Sequence, residues 1–439
     1  MLHIRPVEPP VDPLALQRVN PARYPFLLQS VAQGGGQARY DILFAFPGQH
    51  IQLDNAPASE DFLSRLDGHW LAAARKIPPA ESHLPFRGGW FVYLGYELAG
   101  QIEPSLALPP ARDGLPTAYA VRIPAALIVD HQQQQGFLLA EPGQENLLDR
   151  MVGDLARAVF ASSADGTPVQ LEEDDPQRYL QGVARIKDYI VEGDVFQVNL
   201  SRIWRGQGAA APADIYQRLC AQNPAPFAGL ALIDDAAVIS SSPERLVRVR
   251  GGHVETRPIA GTRPRGEQTA GDDALKDELL AHPKERAEHV MLIDLERNDL
   301  GRVCVPGSVV VDELMVLESY AHVHHIVSNV SGELRQGVTP GQVIRAVFPG
   351  GTITGCPKVR CMEIIADLEG EGRGAYTGAM GYLNHNGDMD LNILIRTITQ
   401  QDGQIQLRTG AGIVADSDPQ QELEETRAKA RGLLLALQS

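Results

Sequence analysis

Cysteine is scarce, with four residues (Cys220, Cys304, Cys356, Cys361) in 439. They form no C-x-x-C pair and no zinc spacing, so neither a disulfide framework nor a zinc module is expected, and the thiols read as reduced. Long apolar runs are also missing. The longest are strand-length, well short of the roughly 20 residues a membrane helix needs. The opening MLHIRPVEPPVDPLAL has no apolar stretch of the signal-peptide kind, and a soluble cytoplasmic protein is expected. Positive charge is in deficit: 39 Lys and Arg against 55 Asp and Glu give a net charge of -16. That excludes a general nucleic-acid binder, which needs a basic face for phosphates. There is no G-x-x-x-x-G-K-[ST] loop and no G-x-G-x-x-G after a strand, so nucleotide and dinucleotide folds are not indicated. No internal repeat is visible. The single low-complexity run, QQQQ at 132–135, reads as a hairpin tip after the strand AALIVDH.

What is present suits a globular protein with a sizeable core: 44% hydrophobic and 21% charged residues. Short strand-like runs (YDILFAF, GWFVYLGYEL, AALIVDH, GFLLAEP) precede the helix-like ENLLDRMVGDLARAVF. The polar, acidic stretch 162–176 reads as a linker. It divides an N-terminal region, 1–165, from a second region, 166–439, the two interwoven in one globule. The segment PQRYLQGVARIKDYIVEGD then predicts a helix, with Pro176 near its start, apolar Tyr179, Val183, Ile186 and Ile190 on one face, and Gly193 at its end. Strands are expected at FQVNLSRIW, LVRVRGGHVETRPI with a Gly251-Gly252 turn, AYTGAMGYLN, LNILIRTITQ and QIQLRTGAGIV. Helices are expected within 271–298 and at 340–347, 357–369 and 418–438. Consecutive hairpins favour an α+β fold with largely antiparallel sheets.

Several segments carry chemistry. RPIAGTRPRG, FPGGTITGCPK, YTGAMGYL and RTGAGIVADSDP combine glycines with threonines. Glycine lets backbone N–H groups approach a carboxylate or hydroxyl closely, although any one such loop is more often a tight turn. Glu285 and Glu288 lie three apart, as do Glu422 and Glu425. Each pair shares a helix face. Converging, they would offer hard oxygen ligands for Mg2+; singly, each is a solvated face. His324 and His325 lie in an apolar setting that suits buried structural imidazoles, with a general acid or anion contact as the alternative. Lys358 follows Gly355, Cys356 and Pro357 at a helix start, where a charge and free N–H groups favour an anion. Arg396 is a charge inside the apolar strand LNILIRT and needs a partner, for which a substrate carboxylate is one candidate.

Across roughly 170–435 the ordered segments SSPERL, RPIAGTRPRG, EHVMLIDLERNDLGRV, HHIVSNVSGEL, GGTITGCPKVRCMEII, YTGAMGYL, IRT and GAGIVADSDPQQELEET resemble the chorismate-utilising enzymes: anthranilate synthase component I, aminodeoxychorismate synthase component I, isochorismate synthase and salicylate synthase. The resemblance implies an α+β chorismate-binding enzyme fold, with two packed antiparallel sheets flanked by helices and the site between them. It implies Mg2+ held by Glu288 and Glu425, supported by Glu285 and Glu422, on the ring carboxylate of chorismate. A dianionic substrate entering an acidic protein requires such a cation. Arg396, Tyr376, Gly410 and Gly412 correspond to contacts with the enolpyruvyl carboxylate. Ala260, Gly261, Thr262, Thr352 and His325 correspond to positions along the ring, with Lys358 a further anion contact. Glu244 matches the acid that protonates the departing C4 hydroxyl, a poor leaving group without one.

Gln197 separates two branches. Water-using members carry a lysine base there, whereas ammonia, already a nucleophile, needs none. The chain has no G-x-C-x-G glutaminase elbow, so a separate glutamine amidotransferase subunit is expected to supply ammonia. Ala260 resembles anthranilate synthases, since many aminodeoxychorismate synthases have an attacking lysine at that place. Asn199, and the N-terminal stretch YPFLLQSVAQGGGQARYDIL with Gln29 and Asp41, resemble aminodeoxychorismate synthases. The expected product is 4-amino-4-deoxychorismate, passed to a separate aminodeoxychorismate lyase towards 4-aminobenzoate and folate. Anthranilate is the alternative.

Overall fold

In a computed structural model of the chain the described residues are 2–32, 39–54, 60–75, 78, 81, 83–158, 168–264, 283–319 and 323–438. The side chains of 262–264, 283–285 and 323 also lie outside the description. Thr262 and Glu285 are therefore placed by backbone alone.

Two antiparallel sheets, one of twelve and one of ten strands among the described residues, carry the fold. Each takes strands from both sides of residue 165. In the larger sheet, Phe26–Gln29 pairs with Phe227–Ile233. In the smaller, Gly89–Leu94 pairs with Ala379–Asn384. Their inner faces meet in an apolar layer of Phe26, Ile42, Phe44, Phe86, Phe91 and Val238. Phe26 and Phe91 stack with ring centroids 4.1 Å apart. Burying each such ring contributes roughly 1.5–3 kcal/mol. Helices Pro212–Gln222 and Pro419–Gln438 cover the outer face of the larger sheet. Phe62–Ala73, Pro283–Gly301 and Pro340–Val347 cover the smaller. No helix among the described residues is long and apolar enough to cross a membrane.

Local signals explain many boundaries. Helix Pro176–Glu192 begins with the Asp175 side chain accepting from Gln177 N and ends at left-handed Gly193. Pro340–Val347 carries a Thr339/Gln342 capping box. Three readings need correction. Within the stretch read as a linker, Leu171–Glu173 forms a strand on Trp204–Gly206, because the larger sheet has an open edge beside it. LNILIRTITQ is not one strand: Met389–Ile393 belongs to the smaller sheet and Thr397–Gln401 to the larger. Arg396 therefore lies at a crossover, with φ 53°, and outside any strand. Similarly, the strand after YTG starts only at Ala379, leaving Tyr376 in the preceding turn.

A second crossover runs beside the first. Ala236–Ser242 and Arg245–Arg250 lie in different sheets, with Pro243 and Glu244 between them. The crossovers are tied together by Ile393 N donating to Glu244 O (3.0 Å), Ser241 N to Arg396 O (3.1 Å) and Ser242 Oγ to Ile393 O (2.5 Å). Two paired strands change sheet together, and the seam they create fixes one acid and one cation.

Candidate active site

Glu244 is 5% exposed. Its carboxyl is pushed up to about 8, first by burial and further by the charge of Glu296. The Thr352 hydroxyl, the Ile259 N–H and the Lys429 charge act in the opposite direction. At neutral pH this group keeps its proton, as a general acid must. Thr352 lies in the short turn Gly351–Ile353, and its carbonyl accepts from Asn199 Nδ2 at 3.1 Å.

Asn199 comes from strand Gln197–Gln207, which pairs with Gln404–Ile413 so that Asn199 faces Gly412 and Ser201 faces Gly410. Gly410 is spatially required, since a Cβ there would lie 2.6 Å from the Leu200 carbonyl oxygen, and a Cβ at Gly412 would displace the Gln197 side chain. A Cβ on Gly410 would lie 2.8 Å from Tyr376 Oη and 3.1 Å from Asn199 Oδ1; one on Gly412 would lie 2.2 Å from Gln197 Nε2. Gln197 is buried, and its Oε1 has no partner among the described residues. A buried amide oxygen without a donor is costly and is satisfied by an incoming N–H.

Cations gather at the Gly410 end. Lys429 Nζ donates to Gly410 O at 2.9 Å and pairs with Glu425 at 2.7 Å. Arg396 donates to the Lys429 carbonyl at 3.0 Å. Burial pushes the Arg396 guanidinium down, while Tyr376 and Glu425 hold it up. Among the described residues it meets no carboxylate at ion-pair distance. Burial pushes the Tyr376 phenol up to about 12, so it remains a hydrogen-bond donor. His325 pairs with Thr262 across strands Ile259–Pro264 and Val323–Glu333. Burial, then the Arg396 charge, push its imidazole down to about 4, so it is neutral. Gly261, φ 66°, makes the bulge between Ala260 and Thr262.

The structure thus brings Glu244, Thr352, Gln197, Tyr376, Arg396, Gly410, Gly412 and His325 to one seam. Lys358 is committed elsewhere, its ammonium 2.5 Å from Asp299. Glu422 and Glu425 share the first turns of helix Pro419–Gln438, and the charges of both act on Tyr179. Glu288 is half-buried on helix Pro283–Gly301. No group of three acidic or histidine side chains at metal-holding distance occurs among the described residues. The carboxylate set nonetheless has the right chemistry for Mg2+, which commonly takes one or two protein carboxylates and completes its shell with water and substrate oxygens. Lys429 and Asn199 form part of this seam. Lys429 carries no sequence signal beyond one charge four residues after Glu425.

Fold and seam together define an α+β protein with a buried, protonated carboxylic acid and a cationic corner on one seam. Residues 24–435 match the chorismate binding enzyme family, and the chain belongs to it. It is 44% identical over 393 residues to an anthranilate synthase component I-like protein of Synechocystis sp., covering 87% of this chain and 80% of that one. It is 42% identical over 367 residues to aminodeoxychorismate synthase component 1 of Bacillus subtilis, covering 80% and 77%. The crystal structure of anthranilate synthase component I from Streptococcus pneumoniae superposes with a TM-score of 0.81 at 32% identity, over 91% of this chain and 93% of that one.

Proposed function

We propose that this chain is the chorismate-aminating component of an aminodeoxychorismate synthase, converting chorismate and ammonia to 4-amino-4-deoxychorismate and water. Its partner would be a glutamine amidotransferase subunit that releases the ammonia, and a separate lyase would consume the product. The observation that carries amination is Gln197, a neutral amide, its oxygen without a partner among the described residues, at the seam position where a water-using enzyme needs a base. Its Oε1 can accept an N–H of ammonia and aim the lone pair at the ring. Glu244 delivers its proton to the departing C4 hydroxyl.

Arg396, Tyr376, Lys429 and the backbone at Gly410 and Gly412 would hold the enolpyruvyl carboxylate. Glu288 and Glu425 would hold Mg2+, with Glu285 and Glu422 in support; when bound, the metal neutralises the ring carboxylate. The resemblance of Asn199 and of the N-terminal stretch with Gln29 and Asp41 to aminodeoxychorismate synthases supports the 4-amino product. Ala260 supports a second reading, anthranilate synthase, because it supplies no amine for covalent attack. Under the first reading, ammonia itself attacks the ring.

Product analysis tests this. Purified chain with chorismate, Mg2+ and ammonium should yield 4-amino-4-deoxychorismate without pyruvate, and glutamine should not replace ammonium. Stoichiometric pyruvate with fluorescent anthranilate would establish the second reading instead.

A further inference from the structure

The turn that carries Tyr376 is gripped by two carboxylates from a distant part of the chain. Glu97 lies in the short helical turn Tyr96–Leu98, and Asp113 lies in the segment between Ile102 and Ala118. The Arg373 N–H donates to Glu97 Oε1 at 2.7 Å and the Gly374 N–H to Glu97 Oε2 at 3.1 Å. The next amide, Ala375 N–H, donates to Asp113 Oδ2 at 2.8 Å, while Asp113 Oδ1 accepts from Leu115 N–H at 3.2 Å. Three consecutive amides are thereby held immediately before Tyr376. Tyr96 N–H completes the clasp by donating to Gly374 O at 2.8 Å. The fit is close: Gly374 has φ 60°, and a Cβ there would lie 1.9 Å from Asp113 Oδ2.

The far side of the turn faces the seam. Thr377 N–H donates to Leu394 O at 2.8 Å, two residues before Arg396. The Arg373 guanidinium donates to Asn199 O at 2.7 Å and Ile353 O at 3.1 Å. The gripped turn thus touches the strand of Gln197, the turn of Thr352 and the crossover of Arg396.

We propose that Glu97 and Asp113 are positioning residues: through the Arg373–Ala375 backbone they hold Tyr376 against Gly410 and shape the corner that takes the substrate's carboxylate. The inference rests on the reading of that corner given above. A carboxylate suits the task because both its oxygens accept, whereas an amide or a neutral acid turns one of them into a donor. Burial, then the Asp113 charge, push the Glu97 carboxyl up to about 7 against its backbone bonds. Among the described residues, Tyr93 and Tyr96 are further ionisable groups beside the pair, and the Arg408 charge acts on Asp113. Protonation near neutrality therefore releases one of the two amides held by Glu97.

Two effects of pH then oppose each other. The folded-state pKa of Glu97 is raised, so its contribution to stability is complete below about 4.5 and is lost as pH rises through about 7. The grip on the turn instead strengthens as pH rises through that value.

Hydrogen exchange at 373–376 and steady-state kinetics with chorismate, on wild type and Glu97→Gln at pH 6 and 8, decide the matter. Asp113→Asn serves as a second variant. At pH 8, Glu97→Gln should exchange these amides about tenfold faster and raise the chorismate KM about tenfold, with kcat little changed. The wild-type KM should rise from pH 8 to pH 6 while thermal stability rises as well; the variant should lose this KM trend. Unchanged exchange, or faster exchange with an unchanged KM, would overturn the proposal. If wild-type protein does not bind chorismate, the functional reading falls, and the exchange result alone decides whether the two carboxylates hold the turn.

Discussion

Glu244 and Glu369 are both buried, 5% and 6% exposed, yet they are poised in opposite states. Burial raises both. At Glu369 the Arg373 and Arg408 cations, with Ser201 N–H at 2.9 Å, outweigh it and hold the carboxyl below its ordinary range. At Glu244 there is no cation at ion-pair distance among the described residues, and burial prevails. The difference shows which of two buried glutamates can act as an acid. A carboxylate clamped by two guanidiniums is part of the frame; one beside the Thr352 hydroxyl retains a proton to give. The Glu369–Arg373 pair also braces the turn before Tyr376, so the framing carboxylate and the protonated one border the same seam.

The comparison can be broken by exchanging each for its neutral isostere. Glu244→Gln mimics the protonated side chain, so the fold should persist with unchanged melting temperature. Turnover should fall by roughly 10²–10⁴, the usual contribution of one general acid. A change confined to KM would mean that Glu244 only binds. Glu369→Gln should do the reverse. It leaves Arg373 and Arg408 buried without their shared anion, and breaking such a pair costs about 3–5 kcal/mol. Denaturant unfolding should show that loss; a variant as stable as wild type would contradict the framing role.

A third carboxylate class lies nearer solvent. The Glu425 side chain is 50% exposed and bound to Lys429, and the adjacent Glu422 is buried. If the pair serves Mg2+, Glu422→Gln should weaken Mg2+-dependent chorismate binding roughly 10–100-fold, the range seen for outer-shell supports, with little change in stability. Calorimetric titration of Mg2+ in the presence of chorismate measures this, and equal affinity in both proteins would remove Glu422 from the metal site.

How much of this was legible in the sequence depends on distance along the chain. The helix at 176–192 carried its own signal in apolar spacing, and the Gly251-Gly252 turn in its two glycines. The ordered motifs pointed to Glu244, Tyr376 and the Gly410 strand, and Gln197 was marked separately as the branch position. Where the chain changes sheet was not legible. LNILIRTITQ is rich in strand-forming residues and holds no glycine or proline at Arg396, so nothing local marks the change of sheet, which is dictated by partners elsewhere. Glu97 and Arg373 are 276 positions apart, and nothing in the YEL or GRG triplets announces a shared contact. Lys358 had the anion-binding signal of a helix start, but the buried Asp299 that holds it comes from another helix.

The smallest effect sharpens the comparison furthest, because it asks what tunes Glu244 once burial has acted. Glu296 lies on the other side of Gly351, a Cβ on which would be 3.3 Å from Glu296 Oε1. Burial and the Asp299 charge push Glu296 itself up to about 7. Above that value its negative charge raises Glu244, whereas the Lys429 cation lowers it. If protonated Glu244 is the acid, kcat should fall on the alkaline side as it ionises near pH 8. Glu296→Gln removes a negative charge and should move that limb to lower pH. Lys429→Met removes a positive charge at similar length and should move it to higher pH. Both displacements should be modest, because burial supplies the largest contribution to the shift. The pH dependence of kcat under saturating chorismate and Mg2+ reads both signs. Displacement in the same direction, or in neither, would mean that the titrating acid is not Glu244.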